Sequence, residues 1–434
     1  MRKKRAAINV LFSMLLELVT LISGFILPRL IIGTFGSEMN GMLHSITSFI
    51  GYVALLQSGV GSVVKASLYK PLAKKDYHAL SVTIVTVEKF FRKIAWITVG
   101  YLIVLAVGYP LIYTPDRDFL FTASLVIIIG VSTVAQYYFG MVYRMLVEAD
   151  MRSYIYSGLQ IASIAVNTLL TGVAVRLGFS IHAVKLLSAS VFVLRPIVLN
   201  IYVHRKYPLD QTVAADNGLL KQRWDGFAHA IAYFVHSKTD IFVLSSFSRL
   251  ENVSVYGVYA MITTGLTAFV KAIDQAMGSV FGNIIASGEE RNLQLTFSAY
   301  NTLMHIVLTT IFATATITGC DFIRIYTSGI QDVNYVLPLF NIIFVSSEFL
   351  YCLRLPYNSV IYAAGLFKET KKSAVIEAGI NVVLSTLLVF RFHLTGVAIG
   401  RLILNHACQF ARIPLFTAFD CHDLSVIQKP ASQF

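Results

Sequence analysis

The chain has 434 residues, of which 56% are apolar and only 13% are Asp, Glu, Lys or Arg, and its net charge is +12. A soluble domain is about 25% charged, and with a mean hydropathy of +0.69 this chain cannot cover a water-facing surface of its own size. A soluble enzyme, a disordered chain and a nucleic-acid-binding module are therefore excluded, and an all-α polytopic membrane protein is expected, because about twelve spans of ~20–25 residues use most of the length.

The N-terminal Met1-Arg2-Lys3-Lys4-Arg5 looks like the start of a signal peptide. The apolar run behind it continues past Ile32 and has no small-x-small cleavage site, so it reads as a first transmembrane helix that stays in the protein. Hydropathy predicts spans at 8–32, 40–64, 93–113, 119–143, 154–176, 181–203, 227–248, 254–280, 296–320, 335–363, 374–391 and 395–418. Residues 204–226, near the midpoint, form the longest polar connector. The expected organisation is a six-helix lobe over 1–203, the connector, a second six-helix lobe over 227–420 and a tail over 421–434.

An N-terminus placed inside puts Arg2 to Arg5, Lys70/Lys74/Lys75 with Lys89/Arg92/Lys93, Arg144/Arg152, Arg205/Lys206/Lys221/Arg223 and Lys368/Lys371/Lys372 in the cytoplasm. Only Arg117, Arg176, Arg249, Arg324 and Arg391 are left outside. That asymmetry predicts a multi-pass protein of the cell (inner or plasma) membrane with both termini cytoplasmic.

The halves carry traces of a repeat. Gly41 matches Gly257, Gly61-Ser62-Val63 matches Gly278-Ser279-Val280, Ala149 matches Ala364, Asn167 matches Asn381, and Arg195-Pro196 roughly matches Arg412-Ile413-Pro414, with offsets near 214–217 residues. Six is even, so the halves share one orientation. Such parallel repeats place a substrate site between them.

Nearly every span also carries a polar stripe at helical spacing, read here as lining a water-filled central cavity rather than as glue between helices. Span one has Asn9, Ser13, Glu17, Thr20 and Gly24, then Pro28 and Arg29. Span five has Gln160, Ser163, Asn167 and Thr171, and span six has His182, Lys185, Ser188 and Arg195. Span seven has His229, Tyr233, His236 and Asp240. Span ten has Ser347, Tyr351, Arg354 and Asn358, span eleven has Glu377, Asn381 and Ser385, and span twelve has Arg401, Asn405, Cys408 and Arg412. Charged residues at mid-bilayer are costly and mark function. The candidate lining cations are Arg29, Lys65, Lys185, Arg195, Lys271, Arg354 and Arg401; the anions are Glu17, Asp240, Asp274, Glu348 and Glu377. Lys271 and Asp274, at i and i+3, read as a structural pair. Lys65 and Lys185 lie near span ends, where snorkelling is the equal alternative. The balance is mildly cationic, and arginine forks suit an anionic, phosphate-bearing cargo. Arg29, Arg195, Arg354 and Arg401 are the candidate phosphate-holding groups, with Lys271 behind them. Glu17, Asp240 and Glu377 are the candidates for proton or sodium coupling.

No nucleotide-binding phosphate loop, HExxH or GxSxG is present. A secondary transporter without cofactor or metal is expected, driven by an ion gradient, the membrane potential or metabolic pull on its cargo. His406, Cys408, Cys421 and His422 are only loosely metal-like and read as residues near a helix end and a tail.

The segments ISGFILPRLIIGTFGSEMNG, SGVGSVVKASLYKPLAKKDY, FVLRPIVLNIYVHRKYPLD, KTDIFVLSSFSRLENVSVYGVY, LRLPYNSVIYAAGLFKET and NVVLSTLLVFRFHLTGVAIG, in this order and spacing, resemble bacterial polysaccharide-biosynthesis flippases of the multidrug/oligosaccharidyl-lipid/polysaccharide exporter superfamily. The resemblance covers essentially the whole chain. It implies two six-helix lobes around a central cavity. It also implies alternating-access movement of undecaprenyl-pyrophosphate-linked oligosaccharide from the cytoplasmic to the outer leaflet, for O-antigen and lipopolysaccharide, capsule or exopolysaccharide. The implied partners are the lipid-linked substrate, membrane lipids, and the polymerase and glycosyltransferases of the pathway, with the chain itself a monomer and no nucleic acid involved. The alternatives are a cation-coupled multidrug exporter of the same fold, whose cavity would be acidic and aromatic, and a non-transporting scaffold of a glycan-synthesis complex, which needs no cavity.

Overall fold

The computed structural model describes residues 2–57, 60–216, 218, 238–364 and 367–421, which contain helices and no strand. The chain divides into two compact units, Met1–Ile231 and Ala232–Phe434. Residues 219–237 and 422–434 lie outside the described set, and with them Lys221, Arg223, His229, Tyr233, His236 and His422. The side chains of Lys368, Lys371, Lys372, Cys408 and Arg412 lie outside it too.

The first unit runs α1 (Arg2–Phe35), α2 (Ser37–Gly51), a 3-10 turn (Tyr52–Gln57), α3 (Val60–Lys74), α4 (Tyr77–Tyr113), α5 (Phe119–Ala135), a π turn (Gln136–Gly140), α6 (Met141–Ala149), α7 (Ser153–Arg176) and α8 (Ile181–Lys206). Gly36, at φ 87°, makes the turn between α1 and α2, a backbone shape that a side chain disfavours. Asp76 caps α4 by accepting from the Ala79 N–H, and Asp118 caps α5 through the Leu120 N–H. The predicted span 40–64 is instead α2 and its 3-10 turn over Tyr52–Gln57, with α3 numbered as its own helix from Val60. The predicted span 93–113 is the second half of the 37-residue α4. Its first half holds Glu88, Lys89, Arg92 and Lys93, which dilute the hydropathy.

The second unit runs α9 (238–247), α10 (Leu250–Ala286), α11 (Glu290–Tyr326), α12 (Pro338–Leu353), α13 (Leu355–Ala363) and α14 (Phe367–Cys421). α14 is two arms joined at His393, the one residue in it with non-helical dihedrals. Beyond that corner a Cβ on Gly396 would collide with the Leu388 carbonyl, and one on Gly400 would stand 3.1 Å from Ser385 Oγ. The arms therefore fold back on each other along a glycine-x-x-x-glycine seam.

The repeat is visible in the elements. α11, like α4, has 37 residues. α3 packs on α4 and α6, and its counterpart α10 packs on α11 and α13. The π turn between α5 and α6 answers the break between α12 and α13.

Ten helical segments among the described residues are long and apolar enough to cross a membrane. The twelve predicted spans reduce to ten in this count because most of span seven is not described and spans eleven and twelve run together in α14. Leu120, Leu169, Ile317 and Ile325 are each at least 70% exposed, an apolar coat that fits lipid and not water. Inside, Val64, Leu68, Val87, Phe91, Leu146 and Val203 pack the first core, and Val270, Phe281, Leu308, Phe312 and Cys352 pack the second.

Candidate functional site

Two local breaks shape a cationic cluster in the first unit. The π turn puts an extra residue into the α5–α6 rod. Pro196 in α8 cannot donate to the carbonyl of Phe192. The two irregularities meet, because a Cβ on Gly140 would stand 2.6 Å from Pro196 Cβ. This close approach aims Arg195 at the π turn, where its Nη2 donates to Gln136 Oε1 at 3.0 Å. The guanidinium also lies 5.8 Å from the Tyr156 ring and 5.7 Å from Phe192. Arg195 thus has only neutral partners among the described residues. A second guanidinium, Arg144, sits 4.7 Å from the same Tyr156 ring and donates from Nε to Glu148 at 2.7 Å. Glu148 also holds Lys65, with Nζ 2.5 Å from Oε2. Two cations therefore share one carboxylate, and with Arg195 beside them, held only by neutral groups, the cluster has an excess of two positive charges. Lys65 and Arg144 keep 38% and 41% of their side-chain surface open, so a ligand can reach them.

The second unit pairs its cations instead. Pro356 leaves the Cys352 carbonyl without its helical donor, and the rod breaks at Arg354. There Arg354 Nη1 donates to Glu377 Oε1 at 2.6 Å, with both side chains buried, and the guanidinium lies 4.8 Å from the Tyr351 ring. Lys271 Nζ lies 5.1 Å from that ring. Asp274 accepts from Tyr300 at 3.0 Å and from Ser359 at 2.7 Å. Arg401 reaches Asp240 with Nη1 at 2.9 Å and Glu348 with Nη2 at 2.5 Å. The Tyr256 hydroxyl donates to the same Asp240 oxygen.

Of the sequence-predicted residues, the structure brings Arg401 together with Asp240 and Arg354 together with Glu377, and leaves Arg195 apart from any carboxylate. Arg29 is half-buried on α1, its Nη1 3.4 Å from where a Gly33 Cβ would stand. Glu17 is exposed. Part of the α1 stripe is glue between helices. Asn9 donates to the Met151 carbonyl and accepts from the Tyr154 N–H; beside the stripe, Ser23 bonds Thr168. Gln136, Arg144, Glu148 and Tyr156 were not singled out as site residues; the i, i+4 spacing of Arg144 and Glu148 was the signal available. Among the described residues no group of three or more His, Cys, Asp or Glu side chains is placed to hold a metal.

No known family profile and no curated protein matches the sequence. Solved structures do match over nearly the whole chain. An inward-facing multidrug resistance MATE family transporter of the MOP superfamily aligns with a TM-score of 0.66 at 15% identity, over 98% of this chain and all of that one. The lipid II flippase MurJ, in an inward closed conformation, aligns with a TM-score of 0.69 at 13% identity, over 96% of this chain and 89% of that one. The Vibrio cholerae MATE transporter VcmN aligns with a TM-score of 0.61 at 14% identity, over 98% and 99%. The chain shares their fold. The first of them is of the MOP superfamily, whose architecture the sequence resemblance implied, and the chain is a multi-pass membrane protein.

Proposed function

We propose that the protein is a flippase for a lipid-linked oligosaccharide carried on a pyrophosphate, moving it from the cytoplasmic to the outer leaflet. The observation that carries this reading is the Lys65–Arg144–Arg195 cluster with its surplus of two positive charges. A pyrophosphate esterified at both ends keeps one negative charge on each phosphorus, which matches that surplus, and guanidinium forks bind such oxygens in pairs. MurJ, of the same fold, is a lipid II flippase, which supports a lipid-linked cargo. Arg29 and Lys271 are proposed as further contacts.

Arg354 and Arg401 enter the mechanism through their carboxylates. Phosphate oxygens compete with Glu377 for Arg354 and with Asp240 and Glu348 for Arg401; protonation of Glu377 frees Arg354 for cargo, and protonation of Asp240 loosens Arg401, which Glu348 still holds. Ion binding at Asp240 and Glu377, with Glu17 as a third candidate, then modulates the exchange between carboxylate-bound and cargo-bound arginine, while the membrane potential drives turnover.

One observation favours a multidrug exporter: in the second unit Asp240, Glu348 and Glu377 outnumber Arg354 and Arg401 by one negative charge, which suits an organic cation. The deciding experiment measures surface glycan and ethidium efflux in cells carrying R195A, R195K or R144A at matched protein levels. The flippase reading expects glycan export to fall at least tenfold in R195A and R144A and to recover only partly in R195K. Normal glycan export with impaired ethidium efflux would replace it with the exporter reading.

A further inference from the structure

A second cavity in the first unit carries a cation of its own. About 440 Å³ in volume, it lies between α1, α5, α7 and α8, and its lining includes Thr20, Gly24, Ser132, Asn167, Thr171 and Lys185. The hydrogen-bonding groups around it are mostly donors. Ser188 donates to Asn167 Oδ1 at 2.5 Å, which uses the acceptor of that amide and leaves its NH2. Ser23 is spent on Thr168 and Ser132 on the Ile129 carbonyl. The Lys185 ammonium, the Asn167 NH2 and the Thr20 and Thr171 hydroxyls have no partner among the described residues. No carboxylate lines the space. A membrane-embedded ammonium without a counter-charge is costly.

The repeat shows what is missing. In the second unit Arg401 is clasped by Asp240 and Glu348. The positions 216 residues earlier are Lys185, Gly24 and Ser132, and all three line this one cavity. The cation is kept, as Lys185, while both carboxylates are replaced by small uncharged residues. We propose that the cavity binds a small monovalent anion of the chloride class, which takes the place that carboxylates fill in the second unit. One ammonium matches one negative charge. Leu27, Ile31, Ile129, Ile164 and Phe192 make up much of the remaining wall and would solvate a phosphate dianion poorly. The inference goes beyond the cargo reading and does not rest on it.

The test is thermal unfolding of the purified protein with sodium chloride or bromide replacing gluconate at constant ionic strength, and with phosphate as a separate arm. A bound anion stabilises by mass action, so the wild type is expected to show a saturable Tm rise of about 2–4 °C with either halide. K185R keeps the response and K185M loses it. Gly24→Asp is the second variant, because a Cβ at Gly24 meets nothing within 4 Å. It supplies a tethered carboxylate, and its Tm is expected to be raised and halide-independent. Crystals soaked in bromide are expected to show an anomalous peak beside Lys185 Nζ. An equal halide response in K185M, a full response in Gly24→Asp, no halide-specific rise in the wild type, or stabilisation by phosphate alone would each overturn the proposal, the last in favour of a phosphate or lipid headgroup.

Discussion

Arg354 and Glu377, 23 residues apart in sequence, meet as a buried pair with Nη1 2.6 Å from Oε1. Removing one partner strands the other charge, a loss of about 3–5 kcal/mol, whereas replacing both with apolar residues is near neutral. R354A and E377A are therefore expected to lower stability strongly, and the double variant R354M/E377M to recover most of it. Thermal unfolding in detergent checks this. Additive losses in the double variant would show that the two side chains are not coupled.

Gly396 tolerates no side chain, since its Cβ would enter the Leu388 carbonyl. G396A is expected to cost several kcal/mol, on the order of the largest single-site effects, and G396V to abolish the monodisperse fraction. G379A is the control. Nothing stands within 4 Å of a Cβ there, and alanine favours a helix by ~1 kcal/mol. Size-exclusion profiles of equal-expression samples separate the two outcomes.

Topology is open to direct labelling. Cysteines at Asp116 and Ser248 are expected to react with an impermeant maleimide from outside, and those at Lys74 and Lys371 only after the membrane is opened. The reverse pattern would invert the orientation.

On the proposed flippase reading, the energy source is expected to follow from charge movement. A cationic site returning empty across the membrane responds to the potential by about 2.3 kcal/mol per charge per 100 mV. An inside-negative potential pulls uncancelled charges such as Arg195 toward the cytoplasm, which on that reading favours the reloading state, with cargo expected to neutralise them for the outward step. Collapsing the potential while keeping the pH gradient is expected to stop glycan export. Undiminished export would point to a proton carried by Asp240 or Glu377.

The spans were legible because apolar length is a direct readout of bilayer thickness, and the repeat because its offset barely drifts. The change from α2 into the 3-10 turn over Tyr52–Gln57 was hidden, since the turn is apolar and leaves average hydropathy almost unchanged. Arg195 was legible as an isolated guanidinium in a span. Its surroundings were not, because the π turn that presents Gln136 depends on how α5, α6 and α8 pack. Helical periodicity identified Asp240 and Arg401 separately but carries no information about contacts 161 residues apart. The same periodicity put Asn9 on a cavity wall, although it ties α1 to the start of α7. A polar stripe looks alike whether it faces water or a neighbouring helix.

The connector after α8 is gripped by its main chain. The Asp210 and Asp216 N–H groups donate to Ser81 Oγ and Thr86 Oγ1 of α4, each at 2.9 Å. Beside the first of them, the Thr212 hydroxyl and N–H hold the Asp210 carboxyl below its usual range. A clasp made this way does not read side chains. The stretch can exchange most of its residues, or carry a tag between the two anchors, and still lie along α4, provided that neither anchor becomes proline and α4 keeps its two hydroxyls. Freedom to substitute the linker and a strict requirement for two inconspicuous helix hydroxyls are thus the same fact seen from opposite sides.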